Sequence, residues 1–325
     1  MEPKPQTASR LTHLPIALFA IVMGLSGLTI AWQKALTLET VSVPYVSDVL
    51  LTVTAFVFTM LLGLYLFKLF RHTDAVTKEL HNPVKLNFFP AISISLLLLS
   101  VAFLPVDQAV SKQLWLMGTG WHLLFTLYVV NAWMHHEHFQ VQHINPAWFI
   151  PAVGNLVVPL AGVPLGFVEI SWFFFSIGLV FWLVLLTIVF YRLMFHSPLD
   201  DKLLPTLFIL IAPPAVGFLS YYRLVGEIDA FARVSYYTAL FMTLVLLTQL
   251  PRFARLRFAL SWWAYSFPLA AISVASMAMY EQTGRGIYGW LGAVLLAVLA
   301  LVVGLLSIRT VNAAVNHRIC VAETG

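Results

Sequence analysis

Residues 262–273 read WWAYSFPLAAIS and lie within a run that carries no charged residue from Ala259 to Tyr280. About 20 apolar residues are enough to cross a hydrocarbon core of roughly 30 Å as a helix. Yet Pro268 lacks an amide donor and clashes with the preceding turn, which costs roughly 3 kcal/mol or more in a helix interior. A proline directly behind Phe267 in such a run needs a physical reason.

Working outward, 60% of the 325 residues are hydrophobic and 10% are charged, against about 45–50% and 25% in soluble domains. The apolar segments run through the whole length, so the chain reads as one all-α integral membrane domain. Ten transmembrane helices are expected, at about 14–33, 46–70, 87–104, 110–133, 147–165, 169–194, 203–222, 230–250, 258–280 and 286–310. In lipid every backbone polar group needs an internal partner, so breaks in such helices must be covered by protein or water. The alternation of a membrane barrel is absent. Residues 1–13 and 311–325 are expected to be tails flanking a transmembrane domain at 14–310.

Basic residues orient such a domain, because cytoplasmic loops are enriched in them. With ten spans both termini share a side, which collects 13 of the 18 Lys and Arg residues and leaves Lys34, Lys112, Arg223, Arg233 and Arg285 opposite. Both termini are therefore expected in the cytoplasm, with residues 1–13 a short tail and not a cleaved signal peptide. The net charge of +4 follows this pattern, and no basic cluster points to nucleic acid. Cys320 is the single cysteine, which excludes an intrachain disulfide framework.

The prolines carry the organisation. Pro90, Pro151 and Pro159, Pro213 and Pro214, and Pro268 fall in spans 3, 5, 7 and 9, while Pro15 opens span 1 with Gly24 and Gly27 beyond it. The even-numbered spans have no internal proline. The local sequences echo each other: FPAIS at 89–93, IPAVGN at 150–155, PPAVGF at 213–218 and FPLAAIS at 267–273. Pro90 to Pro151 is 61 residues and Pro151 to Pro214 is 63, the length of a two-span hairpin with its loops. Repeated interrupted helices point to a transport pathway. Five hairpins are expected, with five Pro/Gly-kinked helices gathered inside around a pore and five unbroken ones outside.

No Asp, Glu, Lys or Arg lies in the middle of a span, so buried proton relays and cation-selecting carboxylate rings lack residues. The odd spans offer Ser26, Ser93, Asn155, Ser266 and Ser273. Helix ends freed by proline favour anions through their amides and dipoles. A lone transmembrane serine also has a plainer use, bonding its own helix or a neighbour. Phe267, beside the break, is either a packing aromatic or a ring closing the path by dewetting. Phe89, before Pro90, has the same two readings.

Other chemistry is thinly represented. His135, His136, His138 and His143 share one loop with Glu137, in a spacing that matches no closed metal site. His122 is the one histidine well inside a span, whereas a membrane haem needs paired axial ligands. Hydrolytic motifs are absent, so no enzyme activity and no cofactor are expected.

These residues resemble the family that contains bacterial tellurite-resistance transporters, plant guard-cell slow-type anion channels, and fungal malate and sulfite transporters. WWAYSFPLAAISVASMAMY at 262–280 is similar to the ninth-helix signature of the plant branch, and FAIVMGLSGLTIAW, from Phe19 to Trp32, to the first helix of bacterial members. HNPVKLNFFP at 81–90, FIPAVGN at 149–155 and APPAVG at 212–217 resemble the third-, fifth- and seventh-helix starts. The resemblance implies a homotrimer with one pore per subunit, Phe267 as its gate, passive flow of small anions, and a bacterial inner-membrane location. Two departures stand out: Val22 replaces a proline common in bacterial first helices, and the plant channels' long regulatory tails have no counterpart here. A proton-coupled exporter of C4-dicarboxylate, sulfite or tellurite is the alternative within transport, and a membrane redox protein the alternative outside it.

Overall fold

The computed structural model describes residues 10–135 and 139–320, and every regular element among them is helical. In chain order the α-helices are α1 (Phe19–Thr37), α2 (Tyr45–Arg71), α3 (Thr73–Leu80), α4 (Ala91–Phe103), α5 (Gln108–His135), α6 (Phe149–Val153), α7 (Val158–Gly162), α8 (Val168–Phe195), α9 (Ala212–Val225), α10 (Ala230–Leu247), α11 (Leu250–Phe253), α12 (Ser266–Thr283) and α13 (Gly286–Val315).

Two kinds of long element alternate. α2, α5, α8, α10 and α13 run without interruption. By contrast, α1, α4, α6, α9 and α12 each follow a 3-10 turn, at Ile16–Leu18, Lys85–Phe88, Pro146–Trp148, Leu204–Ile211 and Leu260–Tyr265, and a further one at Gly154–Val157 joins α6 to α7. The prolines belong to these junctions. Pro90 is the N-cap of α4, Pro213 and Pro214 lie in the first turn of α9, and Pro268 is the third residue of α12. Proline is tolerated in a first turn, where its missing N–H needs no intrahelical partner. The prolines expected to interrupt helices in mid-span thus stand where a 3-10 turn changes into an α-helix. α1, lacking such a proline, is continuous from Phe19.

Among the described residues, seven segments are long and apolar enough to cross a membrane: 16–37, 45–71, 85–103, 168–195, 204–225, 230–247 and 286–315. Sequence reading expects ten, and the other three have identifiable reasons to fall short. Pro146–Gly162 is a shorter apolar helix. α5 carries Gln108, Lys112, Gln113, His122 and Asn131, and α12 carries Ser266, Ser273, Ser276, Glu281 and Gln282, all of which dilute apolarity. α13 also continues to Val315, beyond the expected limit at 310.

Packing separates the two kinds. The apolar stretches at 16–37, 85–103 and 204–225 are 61%, 78% and 83% buried, whereas those of α2, α8, α10 and α13 are only 28–39% buried. Each lead-in helix packs on its successor: α1 on α2, α4 on α5, α6 and α7 on α8, α9 on α10, α12 on α13. Contacts also run from α1 to α4, α4 to α7, α7 to α9, α9 to α12, and back from α12 to α1. Glycines allow the close approaches: a Cβ on Gly178 of α8 would lie 2.7 Å from Leu156, and one on Gly292 of α13 2.7 Å from Met277.

The loops are tied down by polar groups. The connection at 71–86 holds α3, whose Glu79 receives Lys68 Nζ at 2.7 Å and the Tyr65 hydroxyl at 2.8 Å, while Lys68 Nζ also donates to the Leu14 carbonyl at 2.8 Å. Asp229 caps α10 by accepting from the Ala232 amide at 2.9 Å. That amide, followed by the Tyr221 hydroxyl, holds the Asp229 carboxyl below the usual carboxylate range. Ile319 and Cys320 pack on the cluster containing Leu14 and Ile16, so both ends of the described chain lie on the side of the 3-10 turns.

Candidate functional site

Two cavities lie along the lead-in helices, and Phe267 borders both. The smaller, about 80 Å³, is enclosed near the 3-10 turns by residues such as Ala20, Met23, Phe88, Ile150, Val157, Pro213, Trp263 and Pro268. The larger, about 790 Å³, lies toward the far helix ends, where Gln33, Lys34, Val101, Arg223 and Glu281 line it. Phe267 and Val216 are common to the two linings.

Local packing holds that ring. Phe267 is the second residue of α12, and the preceding turn is closed by the Ser266 hydroxyl donating to the Trp263 carbonyl at 2.6 Å. α1 presses against this turn through two glycines. A Cβ on Gly24 would lie 2.2 Å from Ser266 Oγ and 2.9 Å from Trp263, and one on Gly27 would lie 2.8 Å from the Ala270 methyl. Gly24→Ala must therefore push α12 away, and overpacking of this kind costs about 1–3 kcal/mol. We expect a lowered unfolding midpoint in detergent; an unchanged midpoint would contradict the packing.

The smaller cavity has no charged wall among the described residues, and its lining side chains are apolar. All five lead-in helices nevertheless bring early residues to it: Ala20 of α1, Ile94 of α4, Phe149 and Ile150 of α6, Ala212 and Pro213 of α9, Phe267 and Pro268 of α12. Helix N-termini carry partial positive charge. The first amides of α1, α6, α9 and α12 are bonded to carbonyls of the preceding 3-10 turns. Charge is confined to the outer rim of the larger cavity, where Lys34 pairs with Glu281 at 2.6 Å beside Arg223 and Asp48.

The expected residues divide. Phe267, Pro213 and Pro268 line the smaller cavity. Phe19 instead meets Phe58 and Tyr65 of α2 edge-on, at 6.2 and 6.1 Å, and Phe89 meets Tyr65 at 6.2 Å; neither is among the residues lining these two cavities. Phe88 is the phenylalanine of that pair which lines the smaller cavity. Pro90 and Pro214 are buried at their helix starts, and the Pro151 carbonyl accepts from Thr126 at 2.8 Å.

Ser26, Ser93, Asn155, Ser266 and Ser273 do not line either cavity, and most of them bond helices together. Ser93 donates to the Pro90 carbonyl at 2.8 Å and lies 2.9 Å from His122 Nδ1. Asn155 donates to Ala152 at 2.7 Å and Thr126 at 3.2 Å, and Ser273 donates to Gly292 at 2.9 Å. Ser26 is fully buried without a hydrogen-bond partner. The wall residues that sequence reasoning missed, such as Met23, Val157 and Val216, are ordinary aliphatics with no local signal.

Of the histidine loop, residues 136–138 lie outside the described residues, while His135 Nδ1 lies 3.0 Å from the Asn131 carbonyl and His143 Nδ1 accepts from the Gln140 amide at 3.1 Å. Among the described residues no three His, Cys, Asp or Glu side chains group as metal ligands.

An all-helical chain with several apolar membrane-length helices and cavities among its lead-in helices has the form of a channel or transporter. The chain belongs to the voltage-dependent anion channel family, whose sequence profile matches residues 13–311. It is 29% identical over 287 residues to the S-type anion channel SLAH2 of Arabidopsis thaliana, covering 86% of this chain and 55% of that protein. It is 25% identical over 288 residues to the guard cell S-type anion channel SLAC1 of the same plant, covering 86% and 52%. A tellurite resistance protein TehA homolog of Haemophilus influenzae is 27% identical over 270 residues, covering 82% of both chains. The chain thus spans about half the length of these plant relatives and most of the bacterial one. The family comprises anion channels and transporters, not enzymes.

Proposed function

We propose that this chain is a ten-span anion channel or facilitative anion transporter. Five hairpins place α1, α4, α6–α7, α9 and α12 around a central path, and Phe267 closes it. The observation that supports the reading is that early residues of five lead-in helices line one uncharged cavity whose lining shares Phe267 with a second. Such a wall stabilises a negative charge through dipoles, while offering a cation no carboxylate. A homotrimer with one path per subunit, both termini in the cytoplasm and an inner-membrane location complete the proposal.

The same wall dictates which anions pass. An ion entering about 80 Å³ of apolar space sheds water, and an unpaired charge is costly to desolvate. Weakly hydrated monovalent ions should therefore lead. In liposome flux assays we expect nitrate above chloride, and both above sulfate or a C4-dicarboxylate by at least about tenfold, equivalent to 1.4 kcal/mol of barrier. Sulfate flux equal to nitrate flux would contradict this. A proton-coupled exporter would need a titratable group beside the constriction, and the smaller cavity has none among its lining residues.

A further inference from the structure

A third cavity, about 760 Å³, opens on the side of the 3-10 turns, away from the central path. The end of α2, the start of α3 and the segments leading into α1 and α4 enclose it. Arg71, Lys78 and Lys85 line it beside His13 and His72, with Asp74 and Glu79 as the acids. Glu79 is already committed, since its Oε2 lies 2.7 Å from the buried Lys68 ammonium. Arg71 and Lys78 have no carboxylate within 4.0 Å among the described residues. With Glu79 offset by Lys68, Arg71 and Lys78 against Asp74 leave the basin net positive.

Its position identifies what would occupy it. Phe67 stands one turn before Arg71, so the two share a face of α2. Phe67 and Phe70 are 59% and 82% exposed, and α2 is one of the helices apolar and long enough to cross a membrane. The apolar surface thus ends where the basic basin begins, which is the arrangement of acyl chain and headgroup at a bilayer surface. Basic groups at that level are attracted to anionic lipids.

We propose that this basin binds the phosphate of an anionic glycerophospholipid, with Arg71 and Lys78 as its principal cations and an acyl chain laid along Phe67. The occupant would touch the segments leading into α1 and α4 together, and so brace two of the helices that line the path. The inference rests on the membrane-spanning reading of α2 but not on the Phe267 gate. Its readout is lipid binding, so a failed flux experiment and a failed binding experiment are distinguishable.

The test uses the full chain in detergent micelles doped with equal mole fractions of phosphatidylglycerol or phosphatidylcholine, with inorganic phosphate as a third arm. Phosphatidylglycerol is expected to raise the unfolding midpoint by about 2–4 °C over phosphatidylcholine. R71Q/K78Q should lose most of that increment while keeping its midpoint in phosphatidylcholine. R71K/K78R, which conserves charge, should retain the increment and so separate lost binding from lost folding. Equal midpoints in the two lipids, or a full increment in R71Q/K78Q, would overturn the proposal. An equal increment from inorganic phosphate alone would overturn the lipid assignment.

Discussion

Phe267→Ala should raise anion flux through this protein at least about tenfold, the factor that corresponds to removing 1.4 kcal/mol of barrier. Phe267 is the aromatic residue bordering both the cavity of about 80 Å³ and the one of about 790 Å³. An aromatic ring in an apolar constriction excludes water and hence ions, so truncating it at Cβ joins the two spaces. Its neighbours limit refilling: Ala270 and Gly27 on one side carry little that could swing into the gap, and Pro268 keeps the backbone turn rigid. Chloride efflux from proteoliposomes, normalised to folded protein, measures the effect. Phe267→Leu should fall between wild type and Phe267→Ala. Equal efflux from wild type and a folded Phe267→Ala protein would remove this residue from the path.

The largest loss of stability is expected at Lys68. Its side chain is buried at the end of α2, where one ammonium joins Glu79 of α3 and the Leu14 carbonyl before α1. Removing one partner of a buried ion pair leaves the other charge unpaired, at a cost of about 3–5 kcal/mol. Lys68→Ala should thus lower the unfolding midpoint far more than Lys78→Ala, whose side chain is exposed. Replacing both members, as in Lys68→Met with Glu79→Leu, should restore part of the loss, because no unpaired charge remains buried. A Lys68→Ala protein as stable as wild type would show that the contact does not anchor these segments.

Much of the fold was legible because lipid restricts the chain to helices. The expected limits 46–70 and 169–194 differ by one residue at each end from α2 and α8. The odd and even alternation seen in the prolines reappears as buried and exposed helices. The finer phase was not legible. Phe89-Pro90 and Phe267-Pro268 are the same dipeptide, yet Pro90 is an N-cap and Pro268 a third helical residue. Phe89 meets Tyr65, while Phe267 is among the residues lining the cavities. The serines carry a second use that the sequence does not separate, since a buried hydroxyl bonds a nearby carbonyl, as Ser273 does on Gly292. The aliphatic wall residues resemble every other aliphatic in a chain that is 60% hydrophobic.

The central claim, an anion path through the two cavities past Phe267, is tested most directly by the reversal potential of Phe267→Ala protein in a planar bilayer under a potassium chloride gradient. A potential close to the chloride equilibrium value is the expected result. A potential close to the potassium value would contradict the account.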